Sequence, residues 1–184
     1  MTRTRIRTLL VATGVVALMA GCGTPTAGSA AVVGNRRISV SEVQAATVDA
    51  QAFVGPQVPV TQRQVLYLLA AADYIFPLAD RFQVGVSADD ARTAMAAAVP
   101  HASDAGVEVI RANQALLSVR QLGSQQQALA DQLITQSLLA DHFTVNPRYG
   151  TFNAALGRVV PFQPDWQVAA ASPTVKTPTP SPSP

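Results

Sequence analysis

The chain has 184 residues, of which 13 are basic and 11 acidic, and it contains a single cysteine. One cysteine excludes an internal disulfide framework and a cysteine-cluster metal site. Three of the arginines lie in the first 21 residues, so the remainder has 10 basic against 11 acidic groups, a net of −1, and this balance argues against nucleic acid as a partner.

The first 21 residues have the layout of a signal peptide. Arg3, Arg5 and Arg7 precede an apolar stretch from Leu9 to Ala20. This stretch is shorter than the roughly 20 residues that a membrane-spanning helix needs. Residues 1–21 are therefore predicted to direct export and then to be removed.

The end of the apolar stretch reads Leu18-Met19-Ala20-Gly21-Cys22 and resembles the bacterial lipobox, with methionine where leucine is commoner. The resemblance implies cleavage before Cys22 and lipidation of its sulfur. Because two acyl chains give durable anchoring, it also implies a protein held by lipid at the outer face of the cell membrane. The alternative is that Cys22 is an ordinary thiol near a conventional cleavage site.

Composition divides the rest of the chain into a domain and two flanking segments. Residues 22–30 are mostly small and are expected to form a flexible tether, and residues 172–184 hold five prolines among Ser and Thr and are expected to be a disordered tail. Between them lies the length of one ordinary domain. We expect a helical domain over residues 31–150 and an irregular extension over residues 151–171.

The domain opens with a short predicted strand at Ala31, followed by a turn at Gly34-Asn35. Ser39 or Ser41 is then placed to cap a helix that runs to about Phe53. The next helix begins with capping-box spacing at Thr61–Gln64, and Gly85 ends it. It contains Pro77, which predicts a kink or short break.

Three further helices are predicted after Gly85. The first has capping-box spacing at Ser87–Asp90 and the second spans Asp104 to Leu122. Gly123-Ser124 separates the second from the third, which runs to about His142. A short strand then enters a turn within residues 143–150. The predicted fold is mainly α, with about five helices in an irregular bundle and one short two-stranded sheet that pairs the N- and C-terminal ends of the domain.

No catalytic constellation is visible in the sequence. His101 and His142 have no partner at motif spacing, and Asp89-Asp90 belong to a helix start, where negative charge favours the dipole. The sequence contains no metal-binding HExxH helix, GxSxG elbow or phosphate-binding glycine-rich loop. We therefore expect no enzyme activity, no cofactor and no metal site.

Three stretches in order resemble the N-terminal domain of the SurA and PrsA-type extracytoplasmic chaperones. They are the strand, turn and helix of residues 31–43, the leucine-rich helix and its successor over residues 65–95, and the closing helix with Val145-Asn-Pro-Arg-Tyr-Gly150. The last resembles lipoproteins of high-G+C Gram-positive bacteria. Gly34-Asn35 stands where Asn-Gly is commoner in the family.

The resemblance implies a chaperone-like module that binds unfolded or extended polypeptides. Larger family members insert a parvulin-type prolyl isomerase domain where this chain has only residues 99–123, so isomerase activity is not carried over. Phe76, Phe82, Met95 and Leu116 are candidates to contact peptide, and plain core packing is their alternative role. The alternative function is an envelope interaction or assembly lipoprotein that binds one folded partner.

Overall fold

The structure is a computed structural model that describes residues 28–163. The predicted signal peptide, Cys22, the tether as far as residue 27, and residues 164–184 lie outside this range. The elements in chain order are β1 (Ser29–Val33), β2 (Arg36–Ser39), α1 (Val40–Val54), α2 (Gln62–Arg81), α3 (Ala88–Met95), α4 (Asp104–Gln121), α5 (Ser124–Ala140), β3 (Thr144–Val145), β4 (Thr151–Asn153) and β5 (Arg158–Val160). The prediction of a mainly α fold with about five helices is confirmed.

Local side-chain hydrogen bonds fix where most helices begin. Ser39, Thr61 and Ser87 are the N-caps of α1, α2 and α3, and each makes both hydrogen bonds of a capping box. Ser103 caps α4, where its hydroxyl accepts from the backbone N–H of Gly106 at 3.0 Å. These contacts satisfy backbone donors that a helix start leaves without partners.

Helix α2 continues through Pro77, so of the predicted kink or short break the break does not occur. The helix ends at Arg81 rather than at Gly85. Proline removes one helical hydrogen bond. Ile75 and Leu78 on either side of it are buried in the core. Their packing holds this part of the chain helical despite the lost hydrogen bond.

The first sheet has the strand order β2-β1-β3, with both pairs antiparallel. Ala31 of β1 lies opposite Val145 of β3, so the two ends of the domain do pair as predicted. The sheet also contains β2, which the sequence analysis missed. Strand β2 begins with two charged residues, Arg36 and Arg37, and so lacks the apolar pattern that predicts a strand. Its pairing with β1 stabilises it.

Strand β1 corrects the expected boundary of the tether, because it begins at Ser29 inside the range 22–30. Ser29 and Ala30 are buried, at 1% and 0% exposure. The Ser29 hydroxyl donates to the carbonyl of Ala31 at 2.9 Å, and the Asn146 side chain donates to the Ser29 carbonyl at 2.9 Å. These small residues are ordered because their polar groups have partners inside the domain.

Residues 151–160, expected to be irregular, form the hairpin β4–β5. Asn153 supports its turn, since the side-chain oxygen accepts from the backbone N–H of Leu156 at 3.0 Å. Gly150 precedes the hairpin with φ 127°, and a Cβ there would overlap the carbonyl of Val160. Only glycine fits this close approach of two backbones.

The core is centred on the contact between α2 and α4, and α1 and α3 pack against α4. The α1–α4 contact is close at Gly106, where a Cβ would overlap the Asp49 carboxylate. Asp49 accepts from the backbone N–H of Ser103 at 2.8 Å and from its hydroxyl at 2.6 Å. One carboxylate of α1 thus holds the start of α4 in place.

Candidate functional site: an apolar groove beside β5

A groove of about 580 Å³ opens between the end of α1, the α1–α2 loop, α2, α4 and β5. Most of its lining is aliphatic. The apolar side chains that line it are Ala50, Val54, Val58, Pro59, Val60, Val65, Leu68, Val109, Ile110, Leu116, Val159, Val160 and Pro161. A concave apolar surface of this size is typical of ligand and peptide sites.

The side chain of Gln51 fixes the wall that the α1–α2 loop contributes. Its Nε2 donates to the carbonyl of Gly55 at 2.7 Å and to that of Val58 at 3.0 Å. Its Oε1 accepts from the backbone N–H of Val60 at 3.0 Å. Because one side chain satisfies three backbone groups, the loop keeps its shape while Val58 remains 55% exposed.

Helices α2 and α4 form the floor. Leu116 is 7% exposed, and Ile110 beside it is buried. Tyr67 of α2 is half-buried; burial raises the pKa of its phenol to about 12, with a further rise from Asp131 and a partial offset from Arg120. The floor is therefore apolar and carries a neutral phenol at physiological pH.

Among residues 28–163 the rim carries three arginines, Arg63, Arg120 and Arg158, and no carboxylate lines the groove. All three are exposed. None of them takes part in the ion pairs found within residues 28–163. Three like charges around an apolar floor create a positive potential at the opening.

Strand β5 forms one side of the groove and has one unpaired edge. Within residues 28–163 it pairs only with β4, through Val159 opposite Phe152 and its two neighbouring positions. An unpaired edge presents backbone donors and acceptors to an added strand. The groove therefore combines apolar contacts with backbone groups that an extended peptide requires.

A second depression of about 640 Å³ continues from the groove beneath the β4–β5 turn. It shares Tyr67, Leu116, Arg120 and Arg158 with the groove and adds more polar residues of α5. The two depressions therefore adjoin along α4 and the hairpin, and the second one includes the carboxylate of Asp131.

The four residues predicted to contact peptide are not brought together. Met95 is 0% exposed and belongs to the core, so its prediction as a contact residue is wrong. Leu116 does line the groove. Phe76 and Phe82 are half-buried against the core and line neither depression. The Arg111 guanidinium covers the Phe76 ring, 3.8 Å from its centroid.

Phe76 and Arg111 instead border a charged cavity of about 480 Å³ between β2, α2, α3 and α4. Arg36 donates to the Glu108 carboxylate there at 2.6 Å and lies 3.4 Å from that of Asp73. Burial raises the pKa of Glu108, Arg36 lowers it, and the charges of Asp73 and Glu42 raise it further, so that the pKa stays above its ordinary value. Burial also lowers the pKa of Arg36, but Glu108 and Asp73 together more than offset this and leave it raised.

The two histidines lie apart from the groove and from the charged cavity. His101 and His142 are exposed, and His142 has φ 52° just beyond the end of α5. Within residues 28–163 no three His, Cys, Asp or Glu side chains are placed to hold a metal ion. No helix in the same range has the length and apolar character required to cross a bilayer.

The arginine rim and the edge of β5 were not predicted from the sequence. A signal for the strand was present in Val159-Val160 before Pro161, after the turn glycine Gly157. The arginines gave no such signal, because Arg63, Arg120 and Arg158 are far apart in the chain and meet only in the fold.

No protein family, no curated protein and no solved structure matches this chain. The resemblance to the SurA and PrsA-type N-terminal domain stays a prediction from the sequence.

Proposed function

We propose that this protein is an exported lipoprotein, anchored by lipid on Cys22 at the outer face of the cell membrane, that binds extended segments of non-native polypeptides without catalysis. The binding role rests on the apolar groove beside β5, a strand with one edge unpaired among residues 28–163. The signal-peptide layout and the lipobox-like segment support the location.

The groove suits an extended chain because it offers two kinds of contact. Aliphatic residues such as Leu68 and Val58 bind apolar side chains of varied shape, while the edge of β5 binds the backbone. Backbone hydrogen bonds do not depend on the sequence of the bound segment. A site of this kind therefore accepts many unfolded clients, and the arginine rim favours segments that carry acidic residues.

Peptide binding tests this role, with two exposed valines as a matched pair. Val58 lies in the groove at 55% exposure, and Val48 lies elsewhere on α1 at 67%. We expect labelled extended peptides to bind the full chain, Val58→Glu to weaken binding about tenfold or more, and Val48→Glu to leave it unchanged. Equal binding by both variants would falsify the assignment of the groove.

A client assay separates this function from the alternative of one folded partner. We expect the full chain to suppress the aggregation of several unrelated unfolded proteins, with Val58→Glu less active than Val48→Glu. No suppression and no peptide affinity, together with a stoichiometric complex with one folded envelope protein, is the result that favours the alternative.

The anchor is tested separately from the groove. We expect labelled palmitate to be incorporated into the wild-type chain in cells and the protein to sediment with membranes. Cys22→Ser should abolish both. Membrane association that survives this substitution without label contradicts lipidation at Cys22.

A further inference from the structure

We infer that residues 164–168, Pro-Asp-Trp-Gln-Val, bind in the apolar groove of the same molecule and compete there with polypeptide clients. The inference concerns regulation of the site assigned above, and its competition step rests on the proposed function. The docking itself does not.

The chain leaves the described domain at the groove. Val160 and Pro161 line it, and Phe162, the next residue, is 52% exposed. Trp166 follows Pro161 by five residues, which span at most about 17 Å when extended. Packed helices lie about 8–10 Å apart, so this reach is enough to cross the groove floor.

The charges of the segment and the groove are complementary. Asp165 is the only acidic residue after Gln163 in the sequence. The groove rim offers Arg63, Arg120 and Arg158, none of which pairs with a carboxylate among residues 28–163. An aspartate at this position directs the segment towards the arginines rather than away from them.

The apolar residues of the segment fit the floor. Trp166 and Val168 alternate with polar Asp165 and Gln167, which is the spacing that places two side chains on one face of an extended chain. A tryptophan offers a large apolar surface with one polar group, the form of side chain that dominates binding at interfaces. Aliphatic Leu68, Ile110 and Leu116 supply the matching surface in the groove.

Intrinsic fluorescence provides a direct test because Trp166 is the only tryptophan of the chain. In the full chain we expect blue-shifted emission and reduced acrylamide quenching, compared with a peptide of residues 161–171. Reversing one arginine charge, in Arg63→Glu or Arg158→Glu, should shift the ratio of docked to free segment about fivefold towards the free form. Arg148→Glu, on an exposed residue outside the groove, serves as the control.

A charge exchange makes the test specific to the contact. Asp165→Arg should increase quenching, and combining it with Arg63→Asp should partly restore protection. The inference is overturned if Trp166 in the full chain is quenched as in the free peptide. Protection that no groove variant alters overturns it as well, because the tryptophan is then bound elsewhere.

The competition step has its own readout. Trp166→Ser should raise the affinity for labelled extended peptides, and saturating peptide should increase the quenching of wild-type Trp166. If Trp166 is protected but no peptide binds even to Trp166→Ser, the proposed client function fails while the docking stands. If peptides bind and Trp166 is unprotected, the docking fails and the client function stands.

Discussion

Helix α4 has two charged sides that differ in how their charges are satisfied. Towards β2 and α2, Glu108 pairs with Arg36, and Asp73 lies within reach of the same guanidinium. Towards the groove, Arg120 stands near Arg63 and Arg158 without an ion pair among residues 28–163. The first arrangement neutralises charge inside the fold. The second leaves charge of one sign around an apolar surface, and this difference distinguishes a stabilising contact from a binding surface.

The packed side of α4 should give the largest loss of stability when it is altered at Gly106. Gly106→Ala places a Cβ against the Asp49 carboxylate, which holds the start of α4. We expect the free energy of unfolding to fall by about 2–3 kcal/mol. At a helix position without a close neighbour, the same change from glycine to alanine would raise it by up to about 1 kcal/mol. Urea denaturation measures the change.

The double variant Asp49→Ala/Gly106→Ala identifies the cause. It removes the carboxylate atoms that the new Cβ would overlap, along with the cap, and leaves the Cβ of residue 49, which the new Cβ would meet at 2.7 Å. The clash is relieved in part, so the loss should be smaller than the sum of the two single losses. Unchanged or increased stability of Gly106→Ala alone would contradict the close contact between α1 and α4.

The ion pair on the same side should give the next largest effect. Arg36→Ala or Glu108→Ala leaves a partly buried charge without its partner, and each should lower the free energy of unfolding by about 1–3 kcal/mol. Both side chains keep about a quarter of their exposure, at 27% and 25%, which makes the loss smaller than for a fully buried pair. If the loss of stability in the double variant equals the sum of the two single losses, the two groups do not interact. Peptide affinity should be unchanged in all three variants.

Tyr67 on the floor of the groove should show its effect only at high pH. Its pKa lies near 12 in the folded chain against an ordinary value of 10.0. The folded state therefore holds the phenolic proton more tightly, and the resulting stability is present below pH 10.0 and lost as pH rises through about 12. Absorbance of the phenolate band follows the ionisation. Tyr67→Phe should remove this part of the pH dependence, and ionisation near pH 10.0 would contradict burial of the phenol.

The open side of the groove should give the smallest change in stability. Arg63→Gln/Arg158→Gln removes two like charges that have no ion pair within the described domain, so the free energy of unfolding should stay within about 0.5 kcal/mol or rise slightly. The same variant should bind acidic extended peptides several-fold less tightly. A loss of stability as large as that of Arg36→Ala would abolish the distinction between the two sides of α4.

Sequence predicted the helices well because their starts are encoded locally. At Thr61 and Ser87 the cap and its partner lie three residues apart, so a short window holds the whole interaction. The effect of Pro77 on α2 is not encoded locally, and the short break expected there does not occur. Whether a helix survives a proline depends on what its neighbours bury, and that packing involves residues distant in the chain.

The groove could be predicted only in part. Leu116 was recognised as apolar, but periodicity does not separate a groove floor from an enclosed core, and Met95 proved to be core. The rim brings together Arg63, Arg120 and Arg158 from three elements. Such a cluster cannot be predicted from a local sequence pattern, because only tertiary packing brings the three side chains together.

The pairing of β1 with β2 on one edge and β3 on the other has a mechanical consequence for an anchored molecule. A pull along β1 from its start at Ser29 loads the hydrogen bonds to both neighbours in parallel, in shear, instead of opening them one after another. The Asn146 side chain, bound to the Ser29 carbonyl at 2.9 Å, adds a further contact at the point where such a load enters. In the proposed anchored state, the chain that leads from the membrane enters the domain at this strand, so tension on a bound client would load β1 before it loads the helices.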